Sequence, residues 1–201
     1  MSVIKDRKAA GLHYRVSLPC PLGKQQPWVL FLHGRGERGH SNGSELQLVQ
    51  KHGPWHSLWS EHFVIIAPQC PRPKLWQNLM SEFVDLMCDR YPLDRQRGYC
   101  TGLSLGGFGC WTLASAAPYC FAAIAPICGG FCPYHVQEDG LKSFASLQRM
   151  AAEPLDVSTV SHIPTWIFHG KKKTTSCHQT NPLACTAHSQ RQRTFLLALF
   201  D

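Results

Sequence analysis

A serine flanked by glycines is the first candidate for chemistry in this sequence. Gly102, Ser104 and Gly106 form a Gly-x-Ser-x-Gly pentad within residues 99–109. An apolar approach precedes the pentad and a helix-compatible stretch follows it, which is the strand–turn–helix context of a nucleophile elbow. Glycine fits both flanking positions because a sharp turn with close helix–strand approach leaves no room for a Cβ. We therefore predict Ser104 as a nucleophile. The alternative is a glycine-rich turn with an incidental serine.

A second glycine-rich loop supplies what an acyl-transfer serine requires. Such a serine needs backbone N–H groups that stabilise the oxyanion, commonly one after the nucleophile and one from an earlier strand-to-helix loop. Leu105 supplies the first by its position. The loop His33–Gly36 directly follows a buried-type apolar run, so we predict that Arg35 N–H is the second donor. The alternative for this loop is a turn that only reverses the chain.

Two further loop residues are candidates for the wall of a substrate pocket. Gln69 and Trp76 follow an apolar run, and ligands of α/β sheets bind outside the carboxyl ends of the strands. Trp55 is a similar candidate. For either tryptophan, packing in the core remains an open alternative.

The elements that position these residues follow from hydrophobic patterning. Apolar or alternating runs predict strands at His13–Pro19, Trp28–Leu32, Phe63–Ala67, Tyr99–Leu103, Phe121–Cys128 and Pro164–Phe168. Helical spacing predicts helices at Ser44–Lys51, Asn78–Tyr91, Gly106–Ala117 and Lys142–Ala152. Strands that alternate with helices imply βαβ crossovers. The predicted fold class is therefore α/β, a single domain with a mostly parallel sheet flanked by helices.

Composition limits the classes of partner. The 201 residues carry a net charge of +7, but residues 171–201 hold five Lys/Arg against one acid. No basic stripe with interleaved aromatics is visible, so no nucleic-acid partner is predicted. No run of 18 apolar residues occurs, which predicts no membrane span. The ten cysteines follow a polar, charged N-terminus without the apolar core of a signal peptide, so a reducing, cytoplasmic location is expected. The oligomeric state stays open.

Four motifs together resemble a known family. They are residues 33–39 (HGRGERG), 67–71 (APQCP), 101–107 (TGLSLGG) and 125–130 (APICGG). In combination they resemble α/β-hydrolases of the carboxylesterase/phospholipase type, and more narrowly the esterases and peptidases related to dienelactone hydrolase and prolyl oligopeptidase. The resemblance implies a Ser–Asp–His triad without a cofactor and hydrolysis of carboxylic esters or related acyl bonds, with a small-molecule acyl ester as the expected substrate. It implies Ser104 as nucleophile and the Arg35 and Leu105 amides as the oxyanion hole.

The sequence departs from this family after His169. The family places its acid in a His-Gly-x-x-Asp loop, whereas His169-Gly170 is followed here by three lysines, residues 171–173. The family histidine follows the acid by several tens of residues. His178 and His188 lie closer than that and lack the usual Gly-His context. The alternative function is thus a catalytically impaired protein of the α/β-hydrolase fold, without the acid and histidine of the triad.

The region after residue 170 differs in its sequence pattern from the core, residues 1–170. Residues 174–178 can be coded by ACG ACG TCG TGC CAT. If the reading frame starts one base earlier, at the last G of the preceding lysine codon, the same bases encode Asp-Asp-Val-Val-Pro. We therefore hypothesise that residues 171–201 are a frameshifted, poorly structured tail, which implies that the domain lacks its last strand and helix. Alternatively, residues 194–200 (TFLLALF) add an edge strand. The spacing of Cys177, His178, Cys185 and His188 does not match a zinc finger, so no metal is predicted.

Overall fold

The protein is built on one eight-stranded mixed sheet. A computed structural model describes residues 2–55, 58–76, 80–130, 157–170 and 195–200. The strands are β1 (Ser2–Ala9), β2 (Leu12–Pro19), β3 (Gln26–Leu32), β4 (Val64–Pro68), β5 (Leu93–Leu103), β6 (Ala123–Ile127), β7 (Thr165–Gly170) and β8 (Phe195–Phe200). The α-helices are α1 (Ser81–Arg90) and α2 (Leu105–Ala116). Short 3₁₀ helices span Arg35–Glu37, Leu46–Gln50, Leu58–Glu61 and Val157–Val160.

The strand order is β1-β2-β4-β3-β5-β6-β7-β8. β3 to β8 run parallel to one another, while β2 is antiparallel to β4 and β1 is antiparallel to β2. The predicted α/β class with a mostly parallel sheet is therefore confirmed. All six predicted strands are present. Continuous apolar runs are typical of strands buried on both faces, and the alternation in β2 is typical of a half-buried strand.

Two cores cover the faces of the sheet. Leu30 and Leu32 on β3 point into the larger core, whereas Phe31 between them points into the smaller one. This alternation is the two-residue period of a strand. The larger core also holds Trp28, Phe83 and Trp111, all at most 1% exposed. α2 is buried along most of its length, so the helix that follows Ser104 is an inner element.

The first strand was not predicted. β1 is largely exposed and rich in charged residues, so it lacks the apolar alternation that marks a half-buried strand. It pairs with β2 through a tight turn in which Ala10 and Gly11 have φ of 47° and 74°, the left-handed values of a two-residue hairpin. Arg15 adds two bonds to the Asp6 carboxylate, at 2.6 and 2.7 Å.

One predicted α-helix is wrong in type. Ser44–Lys51 was predicted as a helix, and the structure has a 3₁₀ helix at Leu46–Gln50. Only Leu46 and Val49 of this segment are buried, three residues apart, which matches the three-residue turn of a 3₁₀ helix. The predicted helix at Lys142–Ala152 lies outside the described residues.

The last described strand resolves one open alternative. β8 pairs in parallel with β7 over six residue pairs, from Thr165↔Phe195 to Gly170↔Phe200. The apolar run near the end of the sequence therefore adds an edge strand, and the expectation of a sheet without a last strand is wrong. The proposed boundary at residue 170 stays a prediction, because residues 171–194 lie outside the described part. Among the described residues, no helix is long and apolar enough to cross a membrane.

Candidate active site

Ser104 occupies a strained turn between a strand and a helix. It joins the end of β5 to the start of α2, with φ 54° and ψ −111°, a region that a residue with a Cβ enters only when its surroundings force it. Its N–H donates to Ile127 O at 2.8 Å, and its carbonyl accepts from Phe108 N at 3.1 Å. The strand β6, through Ile127, and the helix α2, through Phe108, therefore hold the Ser104 backbone in this conformation.

Close backbone contacts explain why glycines surround this serine. A Cβ on Gly106 would overlap Leu32 O and lie 2.5 Å from Leu32 C. A Cβ on Gly102 would lie 2.6 Å from Leu32 O, and one on Gly107 would lie 2.8 Å from Gly129 N. The strands β3 and β5, the helix α2 and the loop after β6 thus meet without side chains between them. The spacing of the pentad follows from this packing.

The loop after β3 lies beside Ser104. The position of a Cβ on Gly34 is 3.4 Å from Leu103 O and 3.9 Å from Ser104 Cβ. Arg35 follows directly and begins the short 3₁₀ helix, with its side chain exposed. Leu105 begins α2, where first-turn N–H groups have no partner within the helix. The structure thus brings together the two loops that carry Ser104, Leu105 and Arg35.

His33 fixes the start of this loop. Its Nδ1 lies 2.7 Å from Gly34 O, and its Nε2 accepts from Cys70 N at 2.9 Å, so Nδ1 carries the proton. Burial lowers the pKa of His33 to about 4, because a charged ring is disfavoured away from water. Trp76 packs edge-on against the ring, with centroids 4.8 Å apart. His33 is therefore a neutral residue that stabilises the loop, and both of its ring nitrogens are in hydrogen bonds.

The predicted pocket residues are deeply buried. Trp76 is 2% exposed and donates from Nε1 to His33 O at 3.2 Å. Gln69 is 3% exposed, and its Nε2 donates to Glu37 O and Glu45 O at 3.0 and 2.8 Å. Both side chains thus donate hydrogen bonds to backbone carbonyls of loops and stabilise those loops. That Gln69 and Trp76 line a substrate pocket stays a prediction. Trp55, the third candidate, is also buried and donates to Val49 O.

A buried carboxylate that sequence reasoning missed lies next to this loop. Glu37 is 6% exposed, and its Oε1 lies 3.6 Å from His52 Nε2. Its Oε2 is 3.0 Å from the position of a Cβ on Gly34. The only local signal is an acid within a glycine-rich motif. The residue that its carboxylate contacts, His52, lies 15 positions away in the sequence, and no local pattern reveals that contact.

His169 is the penultimate residue of β7 and lies at the same edge of the sheet as Ser104. Leu103 pairs with Ile127, and Ile127 pairs with Phe168, so these three residues form one row across the sheet. Ser104 and His169 each follow a residue of that row directly. His169 is 7% exposed, and its buried Nε2 has no hydrogen-bond partner among the residues that the structure describes. A His-Gly pair thus follows β3, as His33-Gly34, and another closes β7, as His169-Gly170. Among the described residues, both ring nitrogens of His33 have partners, whereas Nε2 of His169 has none.

The other sequence candidates lie outside the described residues. These are Lys171–Lys173, where the family acid was expected, and the residues of the cysteine–histidine cluster, Cys177, His178, Cys185 and His188. Within the described ranges, no three His, Cys, Asp or Glu side chains are grouped so that they could hold a metal ion.

Comparison with known proteins gives distant sequence relatives. No family model matches the chain. It is 28% identical over 137 residues to the bifunctional acetylxylan esterase/xylanase XynS20E of Neocallimastix patriciarum, covering 62% of this chain and 19% of that protein. It is 36% identical over 64 residues to the S-formylglutathione hydrolase of Paracoccus denitrificans (strain Pd 1222), covering 30% of this chain and 23% of that protein. The chain thus spans about a fifth of the length of these curated relatives.

Solved structures resemble nearly the whole chain. A thermostable esterase matches 99% of it with a TM-score of 0.70 at 23% identity, and the chain spans 54% of that protein. An S-formylglutathione hydrolase from Agrobacterium tumefaciens matches 99% with a TM-score of 0.60 at 16% identity, over 90% of its own length. An acetyl xylan esterase from Aspergillus awamori matches 89% with a TM-score of 0.65 at 18% identity, over 76% of its length. Together with the strand order and the strained serine turn, these likenesses show that the chain has the α/β-hydrolase fold.

Proposed function

We propose that this protein is a serine hydrolase that acts on carboxylic esters or related acyl bonds, with Ser104 as the nucleophile. The observation that carries the proposal is the Ser104 turn, whose φ of 54° is held between β5 and α2. Such a turn is costly and persists where the surroundings over-determine it, as at nucleophile elbows. The names of similar proteins, acetyl xylan esterase and S-formylglutathione hydrolase, favour a small acyl group.

The proposed chemistry follows from the neighbours of Ser104. Its Oγ attacks the acyl carbon, and negative charge develops on the carbonyl oxygen. The backbone N–H groups of Leu105 and Arg35 stabilise that oxygen, each contributing roughly 10²- to 10³-fold in rate. Loss of the alcohol or thiol leaves an acyl-enzyme, and a water molecule then hydrolyses it. No cofactor takes part in this scheme.

The second candidate is a catalytically impaired protein with the same fold. Lysines occupy residues 171–173, where the family resemblance expects the acid, and His33 is excluded as a base because both of its ring nitrogens are engaged. Loss of triad members costs on the order of 10⁴- to 10⁶-fold in kcat. An impaired chain would retain only the contribution of the oxyanion donors.

Labelling with a fluorophosphonate probe tests the proposal. We expect the wild-type protein to be labelled and Ser104→Ala to be unlabelled. Ser115→Ala, on the same helix α2, is the matched control and should be labelled like the wild type. Hydrolysis of 4-nitrophenyl acetate should follow the same order. A folded wild-type protein that takes up no label would support the impaired alternative.

We also propose a reducing, cytoplasmic location. The seven cysteines in the described ranges are free thiols, and even the buried pair Cys100 and Cys110, with sulfurs 3.5 Å apart, is not bonded. Disulfides are rare where glutathione and thioredoxin keep thiols reduced. Fractionation of cells that express the tagged protein tests this.

A further inference from the structure

The peptide that joins Gly34 to Arg35 carries the proposed second donor of the oxyanion hole, Arg35 N–H. This peptide is trans, and in a trans peptide the C=O and the N–H point in opposite directions. Whatever holds Gly34 O therefore also sets the direction of Arg35 N–H. Among the described residues, Arg35 N–H donates no hydrogen bond of its own, so its direction depends on how Gly34 O is held.

The imidazole of His33 is the main partner of Gly34 O. Its Nδ1 lies 2.7 Å from this oxygen, at the short end of the range for an N–H···O bond. Glu37 N–H donates to the same oxygen at 3.3 Å, which is longer than that range. The bond from His33 is thus the shorter and stronger of the two, and it sets the orientation of the peptide.

The imidazole is itself held on several sides. Its Nε2 accepts from Cys70 N at 2.9 Å, and this bond leaves Nδ1 as the nitrogen that carries the proton. Trp76 packs edge-on against the ring and donates from Nε1 to His33 O at 3.2 Å. His33 is 1% exposed, so bulk water has little access to these bonds. The ring is therefore a fixed donor for Gly34 O.

We propose that His33 is a positioning residue of the oxyanion hole, whose Nδ1–H holds Gly34 O and thereby keeps Arg35 N–H directed at the developing oxyanion. This inference rests on the proposed function. Because Gly34 O faces the His33 ring, Arg35 N–H faces away from it, and the loop lies beside the Ser104 turn. A donor that is already oriented needs no reorganisation as the charge develops, which is what makes it effective. His33 itself takes up no proton.

Two amide substitutions separate the roles of the two ring nitrogens of His33. The side-chain NH₂ of His33→Asn replaces Nδ1–H and can still donate to Gly34 O. The amide of His33→Gln reaches the position of Nε2 instead, so it can keep only the bond from Cys70 N. We expect His33→Gln to lower kcat for 4-nitrophenyl acetate by about 10- to 100-fold, part of what one oxyanion donor supplies. KM should change less than about threefold, because the lost interaction is made in the transition state.

His33→Asn should lose less than about fivefold in kcat, since its donor is retained. His162→Gln is the matched control. His162 is an exposed histidine whose Nε2 also lies near a backbone carbonyl, Pro118 O at 3.3 Å, and its kcat should equal that of the wild type. Melting curves of each variant verify that it is folded.

An ester and its sulfur analogue distinguish loss of the oxyanion donor from a general distortion of the site. In 4-nitrophenyl thionoacetate a C=S group replaces the C=O group, and sulfur is a weak hydrogen-bond acceptor. His33→Gln should therefore slow hydrolysis of the oxygen ester at least about fivefold more than hydrolysis of the thionoester. Equal slowing of both esters would overturn the inference, because a distorted site affects them alike.

Removal of the donor itself shows whether His33 acts through Arg35 N–H. Arg35 is the first residue of its 3₁₀ helix and follows Gly34 at ψ −178°, a setting that accepts proline. Arg35→Pro lacks the N–H, and its kcat should be about 10²- to 10³-fold below that of Arg35→Ala, which keeps it. Adding His33→Gln to Arg35→Pro should cost no further kcat, because both changes affect one interaction. A further loss of about tenfold would overturn the inference.

The tautomer of His33 is a test that needs no substitution. Nitrogen-15 NMR of the wild-type protein should show the His33 proton on Nδ1, and a proton on Nε2 would overturn the inference even if every variant failed to fold. A folded His33→Gln with the kcat of the wild type would also overturn it, while the proposed function would stand. Absence of fluorophosphonate labelling in the folded wild-type protein would overturn the proposed function and this inference with it.

Discussion

Gly106→Ala should destabilise the protein strongly, because the methyl group meets backbone atoms. Its Cβ would overlap Leu32 O and lie 2.5 Å from Leu32 C and 2.9 Å from His33 O. None of these atoms can turn aside as the end of a side chain can. Carbon atoms pack at about 3.5 to 4 Å, so β3 and α2 would have to separate by roughly 1 Å.

The size of the effect follows from this overlap. Overpacking a well-packed site costs typically 1–3 kcal/mol and occasionally more, and backbone-on-backbone contact belongs at the upper end. Alanine recovers about 1 kcal/mol relative to glycine within a helix. We therefore expect a net loss of about 2 kcal/mol in the free energy of unfolding. For a domain of this length that lowers Tm by about 4 to 8 °C.

Thermal and urea unfolding, followed by circular dichroism, measure this loss. Gly36→Ala is the matched control, since a Cβ there has nothing within 4 Å, and it should stay within about 0.5 kcal/mol of the wild type. A Gly106→Ala protein that melts within about 2 °C of the wild type would refute the argument that the serine turn depends on backbone contact between β3 and α2.

Two further predictions concern the braces of the loop. His33 has a pKa of about 4 in the folded protein against 6.5 when unfolded, so the unfolded state binds more protons between these values and stability falls as pH drops from 6.5 to 4. The loss should be about 3 kcal/mol. Urea unfolding at several pH values measures it, and His33→Asn should flatten the dependence; an equal slope in both proteins would contradict it. Gln69→Leu removes two hydrogen bonds and one buried oxygen, Oε1, that has no hydrogen-bond partner within the described ranges. It should cost about 1–2 kcal/mol in urea unfolding, and no change would show that the amide does not brace the loops.

The sequence predicts the centre of the fold better than its rim. The buried runs at β3 and β4 are recognisable because a strand covered on both faces is apolar throughout. β1 escaped prediction because its charged residues face water at an edge. The 3₁₀ helix at Leu46–Gln50 carries too few buried residues to separate one helical period from another.

The site is predictable where local geometry restricts the residue type, and not where burial is decided by distant contacts. Gly102 and Gly106 could be placed because the turn excludes a Cβ. Trp76 and Gln69 could be placed in loops, but the direction of their side chains depends on contacts with His33 and with carbonyl groups of other loops. Glu37 was missed for the same reason, since what makes it unusual is its surroundings.

The hydrogen bond from Ser104 N–H to Ile127 O makes local opening of the serine turn measurable. This amide belongs to the turn, but its acceptor lies at the end of β6. It can exchange with solvent deuterium only when β6 and the turn separate. Amide exchange at this one position therefore measures the free energy of local opening at the serine. Comparison with amides in the middle of β3 would show whether the turn opens alone or only when the whole sheet unfolds.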